Sequence, residues 1–333
     1  MQPLRKLCGA AAAAAICAIV GCAPAQAALP TLRIAEQFGF ASVPLMVMQQ
    51  HHLLERQLRA QGLHTKVDWL RFSGGAAMND ALLSGSLNIA TGGITPLLTI
   101  WDKSHGAVKG MASLGSIPLV LVTNDPAVKT LKDFGPRDKI AVPAVRVSIQ
   151  AVFLQMAAAK VFGPKKYDCL DRYTVSMPHP DALVAMLSHT AITAHISSSP
   201  YVEQELASPG AHEVISSERL LGPTTNVALY TTTRFHHDHP RVYAAVMAAL
   251  TKAMQMIHAN KQVALQAYLA IEKSKVPKTL LERAFTDPAN HFTETPQGFQ
   301  LYADFMYDHG ELGRRLASWK DAFFPGIRNR KGS

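Results

Sequence analysis

Hydrophobic and polar positions alternate between two periods along most of the chain. Runs with the two-residue period of a strand occur at residues 31–35, 66–72 and 87–90, and a continuous apolar run at 118–123 predicts another strand. Between them, apolar residues recur at helical spacing. One helix is predicted from Pro44 to Leu58, a second begins with Ser73 as its N-cap, and a third begins at Pro96. Strands that alternate with helices indicate an α/β fold with helices on both faces of each sheet.

The same alternation starts again after Asp125. Strands are predicted at residues 139–143, 173–175 and 191–195, each followed by a helix, and residues 227–231 return as a strand before a mostly helical tail. Two such runs predict two lobes, each a mostly parallel sheet flanked by helices. We assign residues 28–122 and 226–333 to lobe 1 and residues 123–225 to lobe 2. Ligands in such folds bind at the carboxyl ends of strands, here in the cleft between lobes.

The first 27 residues have the pattern of an export signal. Arg5 and Lys6 precede an apolar run at residues 7–20, and Ala25-Gln26-Ala27 fits a signal-peptidase site. Residues 19–22 (IVGC) also fit a lipobox, in which Cys22 would be acylated and would anchor the protein to a membrane surface. Both routes predict a periplasmic location, and the pattern leaves the choice between them open.

Charge and cysteine content exclude some classes of function. The formal net charge is +9, of which Arg5 and Lys6 carry two, but no basic run alternates with aromatic residues. A nucleic-acid partner is therefore not expected, and a small anionic ligand suits the charge better. Three of the four cysteines precede residue 28. Cys169 alone can form neither an internal disulfide nor a cysteine metal cage, and we expect it to pack as a small hydrophobic residue.

Several ordered segments resemble a known family. They are LRIA at residues 32–35, NDALLSGSLNIA at 79–90, KIAVP at 139–143, YADFM at 302–306 and SWKD at 318–321. Together they resemble the nitrate/sulfonate/taurine-type substrate-binding proteins of bacterial ABC importers. The resemblance implies a two-lobed type II periplasmic-binding fold that closes like a hinge around one small ligand. It also implies an inner-membrane permease with its ATPase as partners, a monomeric binding protein, no cofactor and no catalysis.

One segment departs from the family pattern. Many relatives end the last strand of the second lobe with a short acidic-small motif before an aromatic residue, whereas this chain has AHISSSPY at residues 194–201. We favour a small organic anion, sulfonate- or carboxylate-like, as the ligand. A neutral pyrimidine-like thiamin precursor is the alternative, and so is an enzyme related to thiamin-pyrimidine synthesis, although the cysteine-rich motif of that enzyme has no counterpart here. A sensor subunit for a membrane receptor stays open.

The candidate ligand-binding residues are short polar side chains and glycines where a predicted strand ends near a helix start. Such positions present backbone N–H groups and the positive end of a helix dipole to an anion. The predicted set of this kind is Ser73, Gly74, Gly75, Thr91, Gly92, Thr95, Ser148, Ser197 and Ser198. Gln37 and Phe38 are added because they border the cleft after the first strand, and His195 because it ends a strand there, although a structural role for His195 stays open. Arg146 is either an ion partner for the ligand or a solvated side chain, and residues 224–226 are either hinge or pocket.

Other chemistries lack their motifs. The chain has no G-x-x-x-x-G-K-[ST] phosphate loop, no glycine-rich turn after the first strand, no G-x-S-x-G and no H-E-x-x-H. His236, His237 and His239 are interpreted as part of a solvated loop that caps the next helix rather than as metal ligands. His179, just before Pro180, is interpreted in the same way as a helix cap. We predict no metal site and no catalytic residue.

Overall fold

The computed structural model describes residues 29–333. Within that range the strands are β1 (Thr31–Glu36), β2 (Lys66–Arg71), β3 (Ile89–Gly93), β4 (Val108–Ser116), β5 (Val120–Thr123), β6 (Ile140–Val142), β7 (Thr174–Ser176), β8 (Ala194–Ser197), β9 (His212–Ser216) and β10 (Thr225–Thr232). The predicted export signal and the lipobox cysteine Cys22 lie outside the described residues.

The α-helices connect these strands and form the tail. They are α1 (Val43–Gln50), α2 (Leu53–Ala60), α3 (Gly75–Leu83), α4 (Ile94–Lys103), α5 (Ile149–Phe162), α6 (His179–Leu187), α7 (Tyr201–Leu206), α8 (Ser217–Leu221), α9 (Thr233–Asp238), α10 (Pro240–Ala259), α11 (Lys261–Glu272), α12 (Lys278–Thr286) and α13 (Phe299–Asp308). No helix in residues 29–333 is both long enough and apolar enough to cross a membrane.

Each lobe is built on a five-stranded sheet with one reversed strand. The order is β2-β1-β3-β10-β4 in lobe 1 and β7-β6-β8-β5-β9 in lobe 2. In lobe 1, β10 pairs antiparallel with both β3 and β4, and in lobe 2, β5 pairs antiparallel with both β8 and β9. The other pairings are parallel. Each sheet is therefore mostly parallel, as predicted, but contains one antiparallel strand. The architecture is the predicted two-lobed α/β fold.

The chain crosses between the sheets twice. The first crossing lies between Ser116 and Val120, because β5 belongs to the sheet of lobe 2. The division predicted after residue 122 therefore falls inside a strand of the second sheet. The second crossing lies between Ser216 and Thr225. Asn226 Nδ2 donates to the carbonyl of Ile117 at 3.2 Å, which ties the two crossing segments together.

Three local predictions differ from the structure. The single helix predicted from Pro44 to Leu58 is two helices, because His52 adopts a left-handed backbone with φ of 48° between them. The hydrophobic pattern does not predict β4 or β9. β4 contains Gly110 and Gly115, and glycine is disfavoured in strands on its own account. Gly110 is required by packing, since a Cβ atom there would lie 2.4 Å from the ring of Phe323.

The main apolar core is continuous from lobe 1 into α5 of lobe 2. It includes the fully buried side chains of Leu32, Ile34, Phe40, Phe153 and Tyr230. A second, smaller apolar cluster in lobe 2 includes Val122, Ala141, Met186 and Ile192. This packing holds the strands of both sheets in place. The carboxyl ends of β1–β3 and of β6–β8 lie at the cleft between the lobes.

Candidate functional site

A small closed cavity of about 30 Å³ lies between the lobes, large enough for one or two water molecules. Residues from both lobes line it: Gln37, Phe38, Ser73, Gly74, Gly75, Gly93 and Pro96 from lobe 1, and Pro143, Ser148, Ile149, Gln150 and His179 from lobe 2. Most of these residues follow the carboxyl ends of β1, β2, β3, β6 and β7. The cavity is therefore where the fold places a ligand.

Four helix N-termini meet at this cavity. α3, α4, α5 and α6 begin at Gly75, Ile94, Ile149 and His179, and their lengths are 9, 10, 14 and 9 residues. The first turn of a helix leaves backbone N–H groups without intrahelical partners, and the summed peptide dipoles make that end positive. Within residues 29–333, the N-cap residues of α3, α4 and α6, which are Gly74, Gly93 and Pro178, make no side-chain capping hydrogen bond. No Asp or Glu of residues 29–333 lines the cavity, so the arrangement favours an anion.

Two glycines lie where the lobes are in close contact. Gly93 is the N-cap of α4, and a Cβ atom there would lie 3.1 Å from the Cβ and Cγ2 atoms of Ile149 in the opposite lobe. Gly39 has φ of +92°, a conformation that L-residues rarely adopt, and a Cβ there would lie 3.3 Å from the carbonyl oxygen of Ser199. Both glycines allow the two lobes to close over the cavity.

Direct hydrogen bonds join the two lobes around the cavity. Thr95 Oγ1 donates to the carbonyl of Val147 at 2.8 Å, and the N–H of Phe40 donates to the carbonyl of Ser199 at 3.0 Å. Asn290 Nδ2 donates to Ser199 Oγ at 2.9 Å. These bonds exist only while the lobes are closed, so they add to the stability of the closed conformation.

Two carboxyl groups with raised pKa values lie where the lobes meet. Glu311 follows α13 in lobe 1, and Asp171 lies in lobe 2 beside Arg146 and Gln155. Burial, and next the negative charge of Asp171, raise the pKa of Glu311 to about 7. Burial also raises the pKa of Asp171. The ionised forms of both groups are therefore disfavoured in this conformation, chiefly by loss of water and, at Glu311, also by the charge of Asp171.

A chain of buried side chains runs from the cavity into lobe 2, and we call it the histidine relay. Its members are Glu205, His195 and His179. Nδ1 of His195 lies 2.5 Å from Oε1 of Glu205, and Nε2 of His195 lies 2.8 Å from Nδ1 of His179. Ser197 Oγ donates to Oε2 of Glu205 at 2.7 Å. The side chains of His195 and Glu205 are 0% exposed.

The outer end of the relay belongs to the cavity wall. Nε2 of His179 lies 3.2 Å from Nε2 of Gln150, which also lines the cavity. Burial, and next the neighbouring His195, lower the pKa of His179 well below its usual range. The ring of Tyr201 stacks on His179 with centroids 5.4 Å apart and holds the ring in place. A neutral imidazole therefore faces the ligand position.

Six of the residues predicted from the sequence line the cavity: Gln37, Phe38, Ser73, Gly74, Gly75 and Ser148. Ser73 does so without capping α3, because Gly74 takes the N-cap position. Ser148 does cap its helix, and its Oγ accepts from the N–H of Ala151 at 3.2 Å.

The other six predicted residues do not line the cavity. Thr91 Oγ1 donates to the carbonyl of Ala35 inside lobe 1, and a Cβ atom at Gly92 would lie 2.7 Å from Oη of Tyr230. Thr95 bonds the opposite lobe, as described above. His195 and Ser197 belong to the buried network behind His179, because β8 turns their side chains toward α7 and not toward its own end. Ser198 is buried and its carbonyl accepts from the N–H of Tyr201.

His179 and Gln150 line the cavity although they were not among the predicted residues. His179 starts α6 but caps nothing, since the N-cap is Pro178 and the imidazole points to His195. Both follow the rule used for the other residues, because each stands at a helix start after a strand. Arg146, offered as an ion partner for the ligand, has a side chain that is 76% exposed and lies 3.6 Å from Asp171.

The remaining histidines do not form a metal site. His236 and His237 lie on α9 rather than in a loop, and the ring of His236 stacks on Phe324 with centroids 4.5 Å apart. His239 is the N-cap of α10. In residues 29–333 no group of three or more His, Cys, Asp or Glu side chains is placed to hold a metal ion. Cys169 is half-buried and packs against the main core.

Among the comparisons with known proteins, only the one with solved structures found matches. No protein-family model matches the chain, and no curated protein matches it in sequence. Solved structures do match. The alkanesulfonate-binding protein SsuA from Xanthomonas axonopodis pv. citri, bound to MOPS, is 19% identical with a TM-score of 0.70, over 89% of this chain and 98% of that one.

The chain has the periplasmic binding-protein fold. The periplasmic aliphatic sulphonate-binding protein SsuA from Escherichia coli is 16% identical with a TM-score of 0.66, over 89% of this chain and 92% of that one. The periplasmic nitrate-binding protein NrtA from Synechocystis PCC 6803 is 16% identical with a TM-score of 0.65, over 88% of this chain and 84% of that one. These similar structures are binding proteins, and at such identities they establish the architecture alone.

Proposed function

We propose that the chain is an extracytoplasmic solute-binding protein that captures a small organic anion between its lobes and delivers it to an ABC-type permease. The observation that carries this proposal is the convergence of four helix N-termini on a cavity that no carboxylate of residues 29–333 lines. Backbone dipoles bind an anion without needing a counter-charge from the protein. The fold shared with sulfonate- and nitrate-binding proteins supports the same class of ligand.

The size of the cavity constrains the ligand. About 30 Å³ admits only one or two non-hydrogen atoms when the lobes are this close. A short sulfonate, a short carboxylate or an anion the size of nitrate would need only a small further separation of the lobes, whereas a bulky ligand would need a large one. Gln37, Gln150 and His179 add side-chain hydrogen bonds around the cavity, while Phe38 and Ile149 supply apolar contacts for a short tail.

Binding would be coupled to lobe closure. Ligand contacts from both lobes form together only in the closed conformation, so the ligand shifts the population toward it. The export signal and the lipobox at residues 1–27 stay predictions, and with them the periplasmic location and the choice between a free and a lipid-anchored protein. The permease with its ATPase is the partner that a closed, ligand-loaded protein would serve, and we propose that the protein acts as a monomer without catalysing a reaction.

Calorimetry with a defined set of ligands tests the proposal. The set is sodium nitrate, methanesulfonate, ethanesulfonate and acetate, with 4-amino-5-hydroxymethyl-2-methylpyrimidine as the neutral alternative. We expect at least one anion to bind and to raise the free energy of unfolding by about 2.7 kcal/mol at one hundred times its dissociation constant. A protein that binds only the pyrimidine, or that converts any of these compounds, would contradict the proposal.

A matched pair of variants locates the binding site. Gly93→Val places methyl groups against Ile149 at the cavity and should weaken anion binding at least tenfold, because it keeps the lobes apart. Gly135→Val lies where no atom is within 4 Å of the added Cβ and should bind as the unmodified protein does. Equal affinity in the two variants would place the anion elsewhere.

A further inference from the structure

The histidine relay links the cavity to a buried carboxylate that has no permanent cation beside it among the described residues. Glu205 is bound there by His195 and Ser197, and both its side chain and that of His195 are 0% exposed. A carboxylate removed from water is stabilised only if a partner carries the opposite charge or saturates its oxygens with hydrogen bonds. The only cation available within the relay is a protonated histidine.

Counting hydrogens along the relay gives two self-consistent arrangements in which Glu205 is ionised and His179 is neutral. In the first, both rings are neutral. His195 donates from Nδ1 to Glu205, His179 donates from Nδ1 to Nε2 of His195, and Nε2 of His179 accepts from the amide of Gln150. Every N–H then points toward Glu205, and Nε2 of His179 is an acceptor, occupied by the amide of Gln150.

The second arrangement holds one more proton. His195 is an imidazolium that donates from Nδ1 to Glu205 and from Nε2 to His179. His179 stays neutral but carries its hydrogen on Nε2, where it faces the cavity as a donor, and Gln150 turns its carbonyl oxygen toward that hydrogen or yields the place to a ligand. The buried pair is then neutral overall. The two arrangements differ by one proton taken from solvent and by the direction of each hydrogen bond between the rings.

We propose that anion binding at the cavity is coupled to the uptake of one proton by the histidine relay, so that the site changes from a hydrogen-bond acceptor to a donor as the ligand enters. This inference rests on the proposed function and adds that the closed site selects an acceptor ligand through His179. An anion stabilises the protonated arrangement because Nε2–H of His179 points at it. The protonated arrangement in turn neutralises Glu205. By linkage, each effect strengthens the other.

The groups around the relay do not supply the missing charge. Tyr201 stacks on His179 and stays a neutral phenol, since burial raises its pKa. Glu203, on the same helix as Glu205, accepts from Ser199, and burial raises its pKa. The strands that flank His195 bring Val122 and Ala141. The other charged groups on neighbouring elements are Asp181 on α6, His212 and Glu213 on β9, Asp287 after α12, and the cluster of Arg71, Glu36 and Glu272 in lobe 1.

The test measures proton uptake with anions that do not titrate themselves. Nitrate and methanesulfonate stay ionised between pH 6 and pH 8, so any proton taken up comes to the protein. Calorimetry at pH 8 in two buffers of different ionisation enthalpy should show about one proton bound per anion. Over the same range the affinity should fall as the pH rises, by up to tenfold per pH unit.

Glu205→Gln is the decisive variant. The new amide keeps a carbonyl oxygen for His195 but has no charge to hold an imidazolium, so we expect the proton uptake and the pH dependence of affinity to disappear. Glu213→Gln on β9 makes the same change at a residue paired with Arg219 outside the relay, and should leave both intact. ¹⁵N NMR of labelled histidines in the unmodified protein gives a second readout that needs no variant. His195 should gain a second N–H when methanesulfonate is added.

The outcomes separate this inference from the proposed function. No binding of either anion, or of the other anions in the set, would overturn both. Anion binding without proton uptake, with unchanged histidine spectra, would overturn the relay proposal and leave the solute-binding function standing. Proton uptake that persists in Glu205→Gln would assign the proton to another group, and this result would also overturn the relay proposal.

Discussion

A glutamate is buried near the cleft in each lobe, and the two are neutralised in different ways. Glu36 ends β1 in lobe 1, where Arg71 donates to it at 2.7 Å and Gln49 also donates. Arg71 keeps 28% of its side chain exposed and also binds Glu272. Glu205 in lobe 2 has His195 and Ser197 instead, with no exposure at all.

The comparison assigns different electrostatic roles to the lobes. Arginine carries its charge at every physiological pH, whereas a histidine is a cation only when it has taken up a proton. At the cavity, none of the seven lining residues from lobe 1 has an ionisable side chain, whereas lobe 2 contributes His179 beside Ser148 and Gln150. Lobe 1 thus supplies a constant field for an anion, and we expect the pH response of binding to reside in lobe 2.

Removing the two buried carboxylates in turn should give the largest difference in the free energy of unfolding. Glu205→Ala leaves an imidazole N–H and the hydroxyl of Ser197 buried without partners, and should lower the free energy of unfolding by about 3–5 kcal/mol. Glu36→Ala leaves Arg71 bound to Glu272 and in contact with water, and should cost about 1–2 kcal/mol. Urea denaturation at pH 7 measures both. Equal losses in the free energy of unfolding would show that contact with water and the ion pair with Glu272 do not compensate Arg71 for the loss of Glu36.

The carboxyl pair at the cleft rim gives an intermediate effect that depends on pH. The pKa of Glu311 is raised to about 7 in the folded protein, so its ionised form destabilises the fold fully above that pH, and the penalty disappears as the pH falls below about 4.5. Glu311→Gln should therefore raise the free energy of unfolding by about 1–2 kcal/mol at pH 8, an amount reduced by partial solvent screening, and by nothing at pH 4.

Thermal unfolding of Glu311→Gln at both pH values measures this difference. Glu218→Gln on α8 makes the same chemical change away from the rim and serves as the control. A gain of the same size at pH 4 and pH 8 would mean that the ionisation of Glu311 is not its cause.

The smallest predicted effect on anion affinity comes from two buried threonines that lie four residues apart in the chain. Thr95 bonds across the cleft and Thr91 bonds within lobe 1, at 2.8 Å and 2.9 Å respectively. Each Thr→Val change removes one hydrogen bond worth about 1 kcal/mol. Thr95→Val should weaken anion binding about fivefold because its bond exists only in the closed state, while Thr91→Val should lower stability without changing affinity. Calorimetry contradicts this assignment if the two variants lose affinity equally.

The sequence predicts the part of the site that depends on local signals. Ser73, Gly74, Gly75 and Ser148 stand where a strand ends and a helix begins, and such starts are marked by short polar residues and glycine. The same signal is present at His179, but a histidine before proline also resembles an ordinary helix cap. β4 escapes prediction for a related reason, because its residues are weak strand formers and only their neighbours in the sheet hold them extended.

Sequence alone determined the alternation of strands and helices, the two lobes and the helix starts at residues 73–75 and 148, since each depends on residues close together in the chain. Only the tertiary structure decided which side chains meet. His195 could point to the cavity or away from it until the register of β8 against β5 and β6 turned it toward Glu205. The relay joins residues 179, 195 and 205 from three elements, and their contact arises from packing that no local pattern records.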